Sequence, residues 1–312
     1  MSPSRTTCCK RGVEAQNLRK FSRAWMLLIA GLLSACGGDR SVVPSPGPQF
    51  GEFTNPQRVT ILGYADHAME PFISRDGRYL FFNNLNDPTV NTNLHWAERV
   101  DDLTFQYKGE IEGVNTTFLE GVPSEDNAST FYFISTRSYG QTMSTVYRGT
   151  FANGTVSGVE LVTGIPASGP GMVIFDTGVS PDGNTFYFAE GLYAPDLKSA
   201  NLVIAERTAT GFARASNSAT ILQQVNLSGG TQYAVAISAS GLELFFTRLL
   251  QGPTTAIYTA TRSSTSAPFG TPRLLQAITG FAEAPTLSPD EKSLYYHKFD
   301  NGQFVIYRVT RP

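Results

Sequence analysis

The sequence predicts an all-β protein, a five-bladed β-propeller of four-stranded blades that is closed by pairing of its N-terminal and C-terminal strands. Three observations predict this fold. A short motif, in which an apolar run ends at a serine and a turn leads into an aromatic run, occurs five times. The serines are separated by 50, 56, 58 and 50 residues, near the period of propeller blades. The chain also ends after the third strand of its last repeat. The anchoring residues are Ser74, Ser124, Ser180, Ser238 and Ser288.

Each copy of the motif has the composition of a β-hairpin. After Ser180, for example, Asp182 and Gly183 favour a turn, because an Asp side chain accepts a backbone N–H and Gly tolerates positive φ. The second copy lacks this Gly and carries one extra residue before its aromatic run, and the fourth copy lacks the Asp. The aromatic runs predict return strands of sheets that pack on both faces. They occupy residues 80–82, 131–133, 186–188, 244–246 and 294–296.

The two ends of the repeat region are predicted to form one blade together. Residues 304–309 match the third strands predicted at 201–207 and 256–262, and no fourth strand follows them. Residues 56–63 resemble the outermost strand that precedes the last repeat, so they can supply the missing strand and remove two exposed sheet edges. The predicted blades cover 70–115, 120–165, 176–225, 234–278 and 284–309.

The repeat resembles a known family. Residues 70–82 follow the pattern Glu-Pro-x-x-Ser-x-Asp-Gly-x-x-Leu-x-Phe, which is similar to the WD-like repeat in the propeller domain of TolB and its relatives. Thr136-Arg137 and Thr247-Arg248, after second strands, are also similar to that family. The resemblance covers about residues 52–312. It implies a binding or scaffolding module of the bacterial envelope, whose partners would be other envelope proteins or extended peptides.

The N-terminal segment predicts a lipoprotein signal peptide over residues 1–35. A basic region precedes an apolar run of 12 residues at 24–35, which is too short to span a bilayer. Leu33-Ser34-Ala35-Cys36 resembles the bacterial lipoprotein cleavage box, and Cys36 is the only cysteine after the leader. An ordinary secretory signal with an incidental cysteine is the alternative. Residues 36–51, rich in Gly, Pro and Ser, predict a tether.

Composition bounds the function. The 29 glycines and the 16% of charged residues suit an all-β protein rich in turns. Beyond residue 35, 25 acidic groups face 18 basic groups, a net charge of −7 that disfavours a nucleic-acid partner. The leader and the family resemblance together predict the bacterial cell envelope, on the periplasmic side of the outer membrane.

Carboxylates near the predicted channel mouth are the first candidate site. Glu70, Glu120 and Asp176 each lie four positions before an anchoring serine, so we expect them at one height in three consecutive blades. Clustered carboxylates bind a cation or raise one another's pKa. The alternative is a structural role in which they accept backbone N–H groups between blades.

Loops between second and third strands share a face with the loops that link blades, and they supply the other candidates. Arg137, Tyr139, Tyr193 and Arg248 offer charge and rings that stack on sugars or peptides. The principal prediction is therefore a non-enzymatic, membrane-anchored propeller that binds a protein or other ligand. The alternative is a glycan-binding or glycan-cleaving propeller similar to arabinanases, with Glu70, Glu120, Asp176 and Glu283 as candidate acid and base.

Other chemistries lack a sequence basis. The chain has no Gly-x-Ser-x-Gly elbow and no phosphate-binding or dinucleotide-binding loop. His67, His95 and His297 fall in different predicted blades, so no metal site is expected. No cofactor is predicted.

The leader prediction is tested by metabolic labelling. Full-length protein expressed in a Gram-negative host is expected to incorporate radiolabelled palmitate, because Cys36 becomes the acylated N-terminus. The Cys36→Ser variant is expected to lose the label, and label that persists in this variant would refute the assignment.

Overall fold

Strands dominate the protein. The computed structural model describes residues 49–87, 90–194, 196–250 and 254–312. The predicted signal peptide, Cys36 and most of the tether lie outside the described residues. Among the described residues, neither helix is long and apolar enough to span a membrane. The strands are β1 (Thr54–Arg58), β2 (Thr60–Leu62), β3 (Met69–Ile73), β4 (Tyr79–Asn83), β5 (Leu94–Arg99), β6 (Thr104–Glu110), β7 (Glu120–Glu125), β8 (Thr130–Ser135), β9 (Val146–Ala152), β10 (Thr155–Leu161), β11 (Met172–Val179), β12 (Thr185–Tyr193), β13 (Leu197–Arg207), β14 (Phe212–Arg214), β15 (Thr231–Ile237), β16 (Glu243–Leu249), β17 (Thr255–Thr261), β18 (Arg273–Leu274), β19 (Ala282–Leu287), β20 (Ser293–Asp300) and β21 (Gln303–Thr310), and the helices are α1 (Tyr139–Thr142) and α2 (Ser218–Ile221).

The strands form successive antiparallel meanders, which confirms the all-β prediction. Strands β3–β6 and β7–β10 form two of them, and β19–β21 with β1 form a third. Strands β11–β14 and β15–β18 belong to one larger sheet, but only a single parallel pair, Ala200 with Thr231, joins these two meanders. The first strands contact one another in sequence order, and β19 also contacts β3.

The N-terminal segment divides between two sheets. It was predicted as one strand over 56–63, but β1 pairs antiparallel with β21 while β2 pairs parallel with β6. The change of partner falls at Val59, whose N–H donates to the Ile306 carbonyl at 2.9 Å; the next N–H, of Thr60, donates to the Leu103 carbonyl at 2.7 Å. The segment therefore satisfies edge groups of both the last and the first meander.

Five apolar clusters fill the spaces between consecutive meanders. The aromatic residues of the second strands dominate them, as in the cluster of Phe81, Phe131, Phe133 and Phe151 between the first two meanders. The cluster with Leu80, Phe82, Tyr295 and Ile306 lies between the last meander and the first. Burying one such side chain contributes roughly 1.5–3 kcal/mol. Packing on both sheet faces is therefore the main source of stability.

The turns show that the second repeat was aligned incorrectly. In the first repeat, the Ser74 hydroxyl donates to Asp76 at 2.6 Å and accepts the Tyr79 N–H at 2.9 Å. In the second repeat, Asp126 performs this role and accepts the N–H groups of Ala128 and Thr130. The anchor is therefore Asp126 and not Ser124, a shift of two residues. Its turn is one residue shorter, so no extra residue precedes the aromatic run.

A bulge distorts each first strand near its start. The pairing register shifts between Met69 and Phe72, and the same irregularity occurs in β7, β11, β15 and β19. Four residues at this position have left-handed backbone: Glu70, Val122, Ala234 and Ala284, with φ of 51° to 56°. Bulges re-aim side chains, and here they direct one position per meander toward the central axis.

Candidate functional site

The candidate site lies at one end of a narrow central channel. The first strands β3, β7, β11, β15 and β19 line this channel, whose cavity measures about 30 Å³. Glu70 and Asp176 line it from equivalent positions in β3 and β11, each four residues before an anchoring serine. The end of the channel where Glu70 and Asp176 lie is the channel mouth. Second strands end and third strands begin at the same end. The cavity has room for about two or three water molecules.

A hydrogen-bonded network holds Glu283 beside Glu70. The Glu70 N–H donates to Nδ1 of His297 at 3.0 Å, so Nδ1 carries a free electron pair and the proton lies on Nε2. Nε2 then donates to Glu283 Oε2 at 3.1 Å, and the Tyr233 hydroxyl donates to Glu283 Oε1. His297 is completely buried, and both of its nitrogens are used. The imidazole therefore links the Glu70 backbone to Glu283, and it orients the Glu283 carboxyl group.

Glu70 and Asp176 are carboxyl groups whose charged forms are disfavoured. Burial, together with the negative charges of Asp176 and Glu283, raises the pKa of Glu70 to about 8. Burial also raises the pKa of Asp176 well above its usual value, although the backbone N–H groups of Ala234 and Thr177 oppose the shift. Glu70 is therefore mostly protonated at neutral pH. Among the described residues, the Asn86 side chain donates to the Glu70 carboxyl group at 3.3 Å.

The opposite end of the channel is closed by Arg75. Its Nε donates to the Glu125 carbonyl at 2.7 Å and its Nη2 to the Val179 carbonyl at 2.9 Å, so the side chain reaches from the first meander to the third. Burial lowers the pKa of Arg75 to about 10 and raises the pKa of Glu125 to about 7. The channel thus has an acidic mouth and a cationic base.

Two buried hydroxyl groups between these ends lack a hydrogen-bond partner among the described residues. They are Ser124 Oγ and Thr177 Oγ1, in residues that are 1% and 4% exposed and that line the channel. A buried hydroxyl without a partner costs about 1–3 kcal/mol. The channel wall therefore presents unused hydrogen-bonding capacity next to Asp176.

Glu120 is not part of this cluster, and the predicted alignment with Glu70 and Asp176 is wrong. The two-residue shift of the second repeat places Val122 at the bulge position instead. Glu120 accepts hydrogen bonds from Thr116 and Ser135, and it forms an ion pair with Arg137 at 3.1 Å. It is completely buried. Its contacts are those of a structural carboxylate between meanders.

Arg137 and Arg248 occupy equivalent structural positions. Arg137 donates to the Val114 carbonyl and lies 4.8 Å from the centre of the Tyr147 ring. Arg248 donates to the Val225 carbonyl at 2.8 Å and lies 4.7 Å from the centre of the Tyr258 ring. Each guanidinium therefore fastens the linker that precedes its own meander and gains a cation–π contact.

The two tyrosines predicted for the binding face differ in accessibility. The Tyr139 hydroxyl donates to the Met172 carbonyl at 2.7 Å. Tyr193 is 36% exposed and packs edge-on against Phe175, with ring centroids 5.9 Å apart. Burial, followed by the charge of Asp176, raises the pKa of Tyr193 to about 12. Of the predicted loop residues, Tyr193 is thus both exposed and close to the acidic mouth.

Tyr233 and His297 were not predicted as site residues, and Glu283 was predicted only as a candidate acid or base of the glycan-cleaving alternative. Tyr233 and Glu283 occupy the same position, one residue before the bulge, in the fourth and fifth repeats. Comparing that position across repeats could have paired them. No motif marks His297, because it enters the site from a second strand. Among the described residues, no group of three His, Cys, Asp or Glu side chains is arranged to hold a metal ion.

Comparison with known proteins shows the fold and no closer relationship. No family model and no curated protein matches the chain. An endo-arabinase from Bacteroides thetaiotaomicron has a TM-score of 0.52 at 12% identity, over 82% of this chain and 98% of that chain. A family 117 glycoside hydrolase from Zobellia galactanivorans has a TM-score of 0.52 at 12% identity, over 84% and 90%. TolB from Acinetobacter baumannii has a TM-score of 0.46 at 14% identity, over 78% of this chain.

The class that these observations define is the β-propeller. At 12–14% identity the similarity reports architecture alone, so the reaction of the glycoside hydrolases does not transfer to this chain. The chain spans 54% of the length of the Acinetobacter TolB chain and 62% of the TolB chain from Agrobacterium tumefaciens.

The structural role of Arg137 is tested by removing its charge while keeping its stem. Arg137→Met is expected to lower the free energy of unfolding by about 3–5 kcal/mol, because buried Glu120 loses its cation. Arg273→Ala, which breaks an exposed ion pair with Glu52, should cost less than about 1 kcal/mol. Urea denaturation measures both. Adding Glu120→Gln to Arg137→Met should restore part of the loss, and an unchanged Arg137→Met protein would contradict the assignment.

Burial of Glu70 predicts a pH-dependent stability. Its pKa is raised in the folded chain from 4.5 to about 8, so the folded state holds a proton that the unfolded state releases between these values. This stabilisation is complete below pH 4.5 and is lost as pH rises toward 8, by about 1.4 kcal/mol per pH unit. Glu70→Gln lacks the titration, so its stability relative to wild type should increase from pH 5 to pH 8.

Denaturant unfolding at several pH values measures this difference. The exposed glutamate Glu98 supplies the control, and Glu98→Gln should track wild type across the range. Parallel curves for wild type and Glu70→Gln would show that Glu70 does not carry the proton.

Proposed function

We propose that this chain is a non-enzymatic β-propeller of the bacterial envelope that binds an extended, partly apolar segment of a partner protein across its channel mouth. The observation that carries the proposal is the position of its exposed apolar side chains. Most of the large exposed ones in the described residues lie at the mouth end, in loops or near the ends of second strands, and they are 36% to 50% exposed. They are Val90, Phe118, Leu192, Tyr193, Leu227, Leu249, Leu250 and Phe299.

We infer that the architecture beneath this face is a ring of five blades closed by β1 and β21. Five meanders, five interfacial apolar clusters and a cycle of contacts among the first strands support this inference. A rigid ring gives the loops fixed positions, and propellers bind partners through such loops. The loops come from all five meanders, so one partner segment could touch several of them at once.

The chemistry of the face favours an apolar partner with basic groups. Exposed apolar side chains gathered at one end of a soluble domain are typical of protein interaction sites. The acidic groups Glu70, Asp176 and Glu283 lie at the centre of the same face. Beyond the leader the chain is also acidic overall. A segment with apolar and cationic side chains complements both features.

Glycan cleavage is the second candidate, and one observation favours it. Glu70 is mostly protonated, whereas Glu283 accepts hydrogen bonds from His297 and Tyr233, so the two carboxyl groups have different surroundings, as the acid and the base of a glycosidase do. The space available argues against it. The cavity of about 30 Å³ compares with roughly 300–1,000 Å³ for ligand pockets, and Glu70 and Glu283 are each 8% exposed.

The proposed location follows from the leader. Cys36 as an acylated N-terminus would hold the propeller at the envelope membrane, and residues 36–51 would separate it from the lipid surface. A partner in the periplasm would then meet the loop face without entering the membrane.

Site-specific photo-crosslinking in the native host tests the binding face. A photoreactive phenylalanine at Phe118, Leu227 or Phe299 is expected to capture the same partner, whereas one at Val100 or Leu274 should not, because these exposed residues lie away from the mouth. Leu249→Glu with Phe299→Glu should abolish capture, and Val100→Glu should preserve it. Equal capture from both sets would refute the face. Hydrolysis of arabinan or another glycan, lost in Glu70→Gln, would favour the second candidate.

A further inference from the structure

We propose that the channel mouth is a binding site for one primary ammonium group, inserted end-on between Glu70 and Asp176 with Ser124 and Thr177 beneath it. The group would come from a lysine of the bound partner or from a free alkylamine. The lysine source rests on the function proposed above, whereas the site itself is a property of the channel.

The acidic groups at the mouth lack a cation of their own. Among the described residues, no Arg or Lys side chain forms an ion pair with Glu70, Asp176 or Glu283, although such pairs neutralise Glu120 and Glu190. His297 cannot serve, because its Nδ1 accepts the Glu70 N–H and its Nε2 donates to Glu283. A buried acidic cluster with no internal cation is suited to an external one.

The hydrogen-bonding capacity matches an ammonium group. Three N–H donors need three acceptors. Within the described part of the chain, the Glu70 carboxyl group accepts one side-chain hydrogen bond, from Asn86, and it has further lone pairs. The hydroxyl groups of Ser124 and Thr177 are almost completely buried and have no partner among the described residues, and these two residues line the same cavity as both carboxyl groups. These hydroxyls distinguish the mouth from an acidic cluster that is satisfied internally.

Size and charge decide which cation fits. The cavity of about 30 Å³ accepts a compact –NH₃⁺ tip on a linear stem and excludes a ring or a planar guanidinium. Arg75 closes the base of the channel with a positive charge, so the ammonium group stops at the acidic end. Its methylene stem would leave through the mouth beside the exposed ring of Tyr193. Among the described residues, no group of three His, Cys, Asp or Glu side chains could hold a metal ion.

Binding of an ammonium group should release protons. Glu70 is mostly protonated near pH 7 because burial raises its pKa to about 8. A cation beside the carboxyl group favours its ionised form. Proton release that accompanies binding therefore distinguishes this site from a nonspecific acidic surface.

Calorimetric titration of the purified full-length chain provides the test. The probe is Nα-acetyl-lysine methylamide, titrated at pH 7 in buffers of different ionisation enthalpy. We expect saturable binding with net proton release, and no binding of the matched probe whose Nε is acetylated. Glu70→Gln and Asp176→Asn should each weaken binding at least about tenfold, as loss of a hydrogen bond to a charged group predicts. Glu98→Gln should leave it unchanged.

Thr177→Val keeps the test decisive if the acidic variants fold poorly. Removing an unpartnered buried hydroxyl should raise the midpoint of urea unfolding of the free protein, whereas amine binding should weaken. A purely structural threonine would not give these opposite effects. Equal binding of the acetylated probe, or unchanged binding in Glu70→Gln and Thr177→Val, would overturn the site.

Further arms of the titration identify the source of the ligand and separate this proposal from the previous one. Tighter binding of 1-aminopentane than of the lysine probe would assign the site to free amines. Suppression of binding by millimolar potassium chloride, with sodium chloride inert, would assign it to an inorganic cation and overturn the proposal. Partner crosslinking without amine binding would refute only the ammonium site. Amine binding without crosslinking would refute only the partner face.

Discussion

The structure depends on sheets that are apolar on both faces. Side chains such as Phe81 and Phe131 are completely buried between neighbouring meanders, so each sheet needs a neighbour on each side. A linear stack of sheets would leave the outer faces of the first and last sheets exposed. Here the cluster of Tyr295, Ile306 and Leu80 packs the last meander against the first. The pairing of β1 with β21 is secondary to this packing, since it satisfies backbone edges whose positions the apolar clusters have already set.

The same packing creates the unusual electrostatics at the axis. Packing of the meanders against one another brings the first strands together around a channel with space for a few water molecules. Carboxyl groups that the bulges aim into this space lose solvent, and the proton on Glu70 is the result. At the opposite end Arg75 is also desolvated, but carbonyl groups of the second and third meanders satisfy it. The channel is therefore polarised along its length, with carboxyl groups at the mouth and a guanidinium group at the base.

One wall of the candidate site is held by hydrogen bonds, whereas the facing wall carries hydroxyl groups that are not hydrogen-bonded within the described residues. Glu283, His297 and Tyr233 form a closed network, which fixes one wall. Ser124 and Thr177, whose hydroxyl groups have no partner in the described part of the chain, sit on the facing strands β7 and β11. The arginines of the loop face do not contribute to this site, because Arg137 and Arg248 bind linker carbonyls and aromatic rings within the sheet framework. The proposed binding therefore involves the acidic mouth and the exposed apolar side chains around it, and not the basic loop residues.

The sequence by itself determined the strand content, the repeat and the turn chemistry of most copies, because apolar and aromatic runs and Ser-x-Asp-Gly signals act over a few residues. It also located Glu70 and Asp176. Only the tertiary structure decided that Asp126 replaces a serine as the turn anchor, that Glu120 pairs with Arg137, and that His297 faces Glu283. These outcomes depend on register and on contacts between residues distant in the chain. A two-residue shift keeps the local pattern and still moves a side chain from the axis into the sheet framework.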